Sequence, residues 1–427
     1  ALHAVKRSLI DSIGCALGAF AAEPVKIARR LAASVSSSMP ASLLGTYMRT
    51  SPEMAAFVNG IMVRYLDFND DYLNKDGPHP SDNIPAILAI CEALHADGKA
   101  LACSITLAYE IVDHLVDSAD FNFRGWDYVT ETAIGSALGV GKVMGLSKQE
   151  MAQALALAVA PNIALWQTRV GELSMWKGCA GPNAARNGLF AALLAREGMT
   201  GPNQIIEGPC GLWNQVTGRF DLGPFGGGEH PFKIQETFFK PRPVMYTVLL
   251  PVETALKLRG EVAINDIDSI QIFLDAFCVA SSAGPEKFDP HTRETADHSI
   301  PYLVVAALVD GEISEKSYTP ERFRNPQILS LLKKTSMEVK PVFTEEWPKA
   351  FNCRIEIKGK SGQIWSKHLK NPKGHPANPM SDEEIEEKFR GLTRNMLGPK
   401  QTQTALELLW HIEEVDDVGK IFNALSV

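Results

Sequence analysis

The chain has 427 residues, of which 45% are hydrophobic and 22% charged, with a net charge of −8 and a sequence pI near 5.8. That length predicts two domains rather than one core. The lack of a basic stripe excludes nucleic acid as a main partner, and the lack of an apolar run of about eighteen residues excludes a membrane partner of the spanning kind. An anionic small substrate stays open, since it needs only a local cationic pocket.

The chain opens on Ala1 inside a helical pattern (Val5, Leu9, Ile13), which predicts a leading segment ahead of it. The stretch VKRSLIDSIGCALGAF predicts a first helix. Residues 52–65 and 83–95 predict two more, with Val58, Ile61, Met62 and Tyr65 on one face of the first and Ile84, Ile87, Leu88, Cys91 and Leu94 on one face of the second. Between them lies LDFNDDYLNKDGPHPSDN, residues 66–83. It carries Asp67, Asp70, Asp71, Asp76 and Asp82, and sets His79 between Pro78 and Pro80. A polar loop stiffened by prolines and anchored on packed helices suits catalytic side chains. The plain alternative is a solvated helix connection. Leu66-Asp67-Phe68 speaks against it, because an acid between two apolar residues is expected to face inward.

Helical periodicity continues from Ala100 to Val116 and from Thr130 to Met144, with Gly145 as a stop. Ser147 and Glu150 match a capping box that opens the next helix. Pro182 to Glu197 is one more. Just before it, Lys177 lies in a Gly-rich approach to a helix start, a setting for anions as much as for a surface lysine. The composition changes near Pro231. Lys240-Pro-Arg242-Pro243 forms a second cationic cluster, or else a solvated hinge. Strand-like alternation starts at Ile267, and a hairpin is expected from Cys353 to Leu369 around Gly359 and Gly362. Residues 295–309 read as an apolar helix, with Asp297 or Ser299 as its cap. Ser381 and Glu384 form another capping box, and helices run to the end.

These patterns predict a mostly α protein: a large all-α helical bundle domain built from residues 1–235 and 380–427, with a smaller α+β lid domain, 236–379, inserted. The seven cysteines are scattered, odd in number and never paired as C-x-x-C, which predicts buried thiols in a reducing compartment. No phosphate loop, dinucleotide fingerprint, H-E-x-x-H or G-x-S-x-G motif is present, so no cofactor and no bound metal are expected.

Five stretches, LDFNDDYLNKDGPHPSDN, WKGCAGPNAARNGLFAALLAREG, FKPRPV, ETADHSIPYLVVAALVDG and NPMSDEEIEEKF, together resemble the successive signatures of the MmgE/PrpD family. The resemblance covers essentially the whole chain in order. It implies a homodimer without an obligatory metal, an active site between a helical and a lid domain, and a location in the cytoplasm or the mitochondrial matrix. By motif position it implies catalytic roles for Asp67, Asp71, His79, Lys177 and Tyr302, with Lys240 holding substrate at the domain junction. A polyanion needs further cations, for which Arg169 and Arg242 are the candidates, and Asp127 and His298 are further candidate substrate contacts. The implied chemistry is that of a hydro-lyase on a small anionic carboxylate, most like 2-methylcitrate dehydration to 2-methylaconitate. Decarboxylation of the cis-aconitate type, epimerisation, or anion binding without chemistry are the alternatives. Two departures stand out: Asp127-Tyr128 where the dehydratases resembled carry Asp-His, and Pro243-Val-Met-Tyr246-Thr247 where they carry a histidine.

Overall fold

The computed structural model describes residues 1–427, the side chain of Phe123 excepted. The protein is mostly α-helical with some β-structure and divides into two compact units. The first comprises 1–168, 178–239 and 381–427; the second comprises 169–177 and 240–380. Among the described residues, no single helix is long and apolar enough to cross a membrane.

In the first unit, the helices Gly98–Ser118, Val129–Val143 and Ala180–Arg196 pack in sequence on one another, and Pro52–Arg64 packs on both Ile84–Ala93 and Ala180–Arg196. Of the faces the periodicity picks out, Val58, Ile61, Met62, Ile84, Ile87, Leu88 and Cys91 are buried, whereas Tyr65 is half-buried and Leu94, at the end of its helix, is exposed. Ser147 and Glu150 close their capping box, as do Ser381 and Glu384, and Gly145 takes the left-handed backbone that ends the preceding helix. The Asp382–Thr393 helix lies on the first helix, Leu2–Gly18. Between these two, the ammonium of Lys388 reaches both Asp11, at 2.5 Å, and the carbonyl of Phe68, at 2.6 Å, so the C-terminal segment anchors the start of the 66–83 loop. A short ladder, Ala41–Ser42 with Arg49–Thr50, is too brief to carry an alternating pattern.

In the second unit, four strands lie in the order Thr335–Val339, Ile267–Leu274, Asn352–Gly359, Ile364–Lys370. The first pair is parallel and the other two are antiparallel. The last pair is the expected hairpin, turned through Gly362 with positive φ. Ile270, Ile272, Cys353, Ile355 and Ile357 form the buried face, on which the helix Tyr246–Arg259 packs. The apolar helix expected over 295–309 is two pieces, Arg293–Ala296 and Ile300–Asp310. Pro301 stands in the first turn of the second piece, where it needs no N–H donor, and the Ser299 hydroxyl accepts from Tyr302 N–H as the cap. The break leaves Asp297 and His298 outside helical structure.

Candidate active site

The 66–83 loop is held by its own backbone and by buried acids. Tyr72 N–H donates to the Pro78 carbonyl at 3.1 Å, and Asp71 and Phe238 exchange two backbone hydrogen bonds. Asp70 accepts the Tyr109 hydroxyl at 2.6 Å and Ser81 N–H at 3.1 Å. Asp67 is fully buried, as its apolar neighbours predicted, lies 3.3 Å from the Arg64 guanidinium, and adopts positive φ. Asp82 faces the first turn of the Ala180–Arg196 helix so closely that a Cβ on Gly181 would collide with its carboxylate, which explains glycine there.

His79 is buried, and its Nδ1 lies 2.6 Å from the carbonyl oxygen of Asp70. A carbonyl only accepts, so Nδ1 carries the proton and Nε2 is the nitrogen that exchanges one. An Asp71 carboxylate oxygen lies 3.7 Å from the same Nδ1, placed to steady the doubly protonated ring. The Tyr128 ring stands edge-on to His79 at 6.3 Å and is hydrogen-bonded through its hydroxyl to Arg64. Asp127, fully buried, accepts from Val129 N–H at the start of the next helix.

Beneath the loop lies a set of acids that the sequence reading did not single out. Glu131 and Asp113 are buried, and among the described residues no carboxylate oxygen of either accepts a hydrogen bond. Burial holds both well above the usual carboxylate range, helped for Glu131 by the charges of Asp76, Asp113 and Asp127. Burial also pushes Asp76 up to about 7 and Asp70 up to about 6. Acids with raised native pKa bind more protons folded than unfolded. Their stabilising contribution is therefore full below the ordinary carboxylate range and is lost as pH rises through the native values. Stability should accordingly fall as pH climbs from about 4 toward and past 7. Glu131→Gln, which keeps the volume but cannot ionise, should melt higher than the wild type, with a wider gap at pH 8 than at pH 5. Melting curves at the two pH values check this; an equal gap at both would count against it.

In the second unit, the Lys177 side chain is 1% exposed, and its ammonium bonds both oxygens of Asp297, at 3.0 and 2.9 Å. The His298 Nδ1 lies 2.5 Å from Asp297. Arg169 donates to the Lys177 carbonyl at 3.0 Å, and Arg242 lies 3.7 Å from Glu253. Lys240 is fully buried. Tyr302 is fully buried too: its hydroxyl donates to the Ser317 carbonyl at 2.5 Å, its ring packs edge-on to Phe323, and burial raises its pKa. That hydroxyl proton is committed to the backbone. The ten residues singled out from the sequence thus fall into two groups: Asp67, Asp71, His79 and Asp127 in the first unit, and Lys177, Lys240, Arg169, Arg242, His298 and Tyr302 in the second. The second unit brings Lys177, Asp297 and His298 together, whereas its Tyr302 is tied to Ser317.

A loop-held histidine with one nitrogen committed, beside carboxylates and an arginine, is the equipment of an enzyme that moves protons. The chain belongs to the MmgE/PrpD family: the family's N-terminal domain matches residues 1–224 and its C-terminal domain residues 243–413. It is 26% identical to cis-aconitate decarboxylase of Homo sapiens, over 99% of this chain and 89% of that protein. It is 27% identical to the mitochondrial 2-methylcitrate dehydratase of Yarrowia lipolytica, over 88% of this chain and 76% of that protein. It is 26% identical to 2-methylcitrate dehydratase of Cupriavidus necator, over 95% of this chain and 88% of that protein.

Proposed function

We propose that the protein is a lyase acting on a small polycarboxylate, most like 2-methylcitrate dehydration. The observation that carries this reading is His79, whose Nδ1 is committed to the Asp70 carbonyl so that Nε2 is the proton-exchanging atom. In such a dehydration, Nε2 takes the proton from the carbon beside a carboxylate. The charge that develops is drawn into that carboxylate, the neighbouring C–O bond breaks, and the hydroxyl leaves as water by taking up a proton, in net the one that Nε2 removed, so that the ring returns to its neutral form. Asp71 steadies the imidazolium. Lys177, Lys240, Arg169 and Arg242 supply the positive charge that several carboxylates need. Tyr302 could donate a proton only by giving up its bond to Ser317. A homodimer is part of the proposal, to be read from sedimentation.

Identity alone does not choose among reactions, since a decarboxylase and the dehydratases stand at 26–27%. The spacing from Asp71 to His79 and the HPSDN ending favour dehydration. Decarboxylation is the second reading, favoured by the 99% of this chain that the human cis-aconitate decarboxylase covers. Incubation with 2-methylcitrate, cis-aconitate and iminodisuccinate separates the readings. Formation of 2-methylaconitate supports the first, release of CO2 from cis-aconitate the second, and a change of configuration alone an epimerase. Conversion of none overturns the lyase reading.

A further inference from the structure

The cations of the second unit are not equivalent. Lys177 is matched by both oxygens of Asp297, which also holds His298, and Arg242 faces Glu253. Lys287 has no such match. It stands in the short helix Pro285–Phe288, with its N–H donating to the Gly284 carbonyl at 3.0 Å and its own carbonyl accepting the Ser299 hydroxyl. The backbone is thus tied to the same Asp297–Ser299 turn that holds Lys177. The residue is 5% exposed, and among the described residues its amine makes no hydrogen bond and no ion pair. Burial lowers its proton affinity, as does the charge of Lys177, against the opposing pull of Glu286 and Asp297. An ammonium on a largely buried residue that, among the described residues, no carboxylate bonds directly gives up solvation without gaining an ion pair, and a carboxylate arriving from outside would supply that pair.

We infer that Lys287 is a substrate-anchoring residue, whose ammonium takes one carboxylate of the small polyanion beside the Lys177–Asp297–His298 cluster. The inference rests on the polycarboxylate reading and adds to it a group that no motif singled out. The arrangement gives Lys177 and Lys287 different tasks. Asp297 fixes the Lys177 charge in place, while Lys287 supplies an ammonium that, among the described residues, no carboxylate bonds directly. An anchor contacts carboxylate equally in ground and transition states, so its loss acts on KM more than on kcat.

The test is calorimetric binding of tricarballylate, a tricarboxylate with neither a hydroxyl to lose nor a double bond. Lys287→Met should weaken binding about tenfold or more, the scale of one charge-assisted hydrogen bond, and Lys287→Arg should restore part of it. In the wild type, saturating tricarballylate should shield Lys287 from acetylation, read by peptide mass spectrometry; this arm stands even if Lys287→Met fails to fold. Binding by a folded Lys287→Met within twofold of wild type overturns the assignment, as does a wild type that binds no tricarballylate or whose Lys287 acetylates at an unchanged rate. If Lys287-dependent binding is found while no polycarboxylate is converted, the anchor stands and the lyase reading falls. If 2-methylcitrate or cis-aconitate is converted with unchanged KM by Lys287→Met, the anchor falls and the lyase reading stands.

Discussion

His79→Gln should lower turnover of a converted polycarboxylate about a hundredfold or more, with the helical signal in circular dichroism unchanged. The Asp70 carbonyl takes the proton on Nδ1, which fixes the ring's tautomer and leaves Nε2 basic. Glutamine can imitate the donor to that carbonyl but has no nitrogen that takes up and releases a proton near neutrality. The substitution therefore removes the chemistry and spares the loop's own contacts. A hundredfold corresponds to about 2.7 kcal/mol of barrier, within reach of one positioned acid–base group. Asp71→Asn should act in the same direction but less, since it removes only the charge 3.7 Å from Nδ1. Near-normal turnover by a folded His79→Gln would take His79 out of the role and pass it to Tyr128, Asp127 or His298.

Much of this was legible in the chain, and the reason is local. Helix periodicity, the two capping boxes and the hairpin around Gly362 depend on residues within one or two turns of each other, so a short window reveals them. Asp67 was readable for the same reason, from the apolar residues on either side of it, of which Leu66 is buried and Phe68 half-buried. His79 stood out because two prolines flank it. What stayed hidden depends on distant partners. Lys177 meets Asp297 across 120 residues, and neither position carries a mark that pairs it with the other. Glu131, in VTETAIGS, looks like any polar residue near a helix start; only the packing of the Gly98–Ser118 helix and the loop makes it a buried acid. Lys287, between Pro285 and Pro290, reads as a loop lysine until its burial is known. Tyr302 shows the converse. Its motif position marked a catalytic role, while its hydroxyl is bonded to the Ser317 carbonyl.

Asp297→Ala should destabilise the protein by about 3–5 kcal/mol, the cost of leaving one member of a buried ion pair without its partner. The pair is closed off: Lys177 and Asp297 are 1% and 0% exposed, so water cannot replace the lost carboxylate. His298 loses its acceptor in the same stroke, since its Nδ1 lies on an oxygen of Asp297. The loss should show as a fall of roughly 10 °C in melting temperature, and salt should change it little because the site is shielded. Lys177→Met added to Asp297→Ala should recover much of the loss, because the charge that Asp297 balanced leaves with the lysine. Thermal unfolding of the two single variants and the double variant forms a cycle whose coupling measures the pair. Coupling within about 0.5 kcal/mol of zero would mean that the two side chains act independently. The ion pair would then not be what holds the Asp297–Ser299 turn against the 169–177 segment, and that work would rest on Thr295 and Thr292, whose hydroxyls bond the backbone of Leu173.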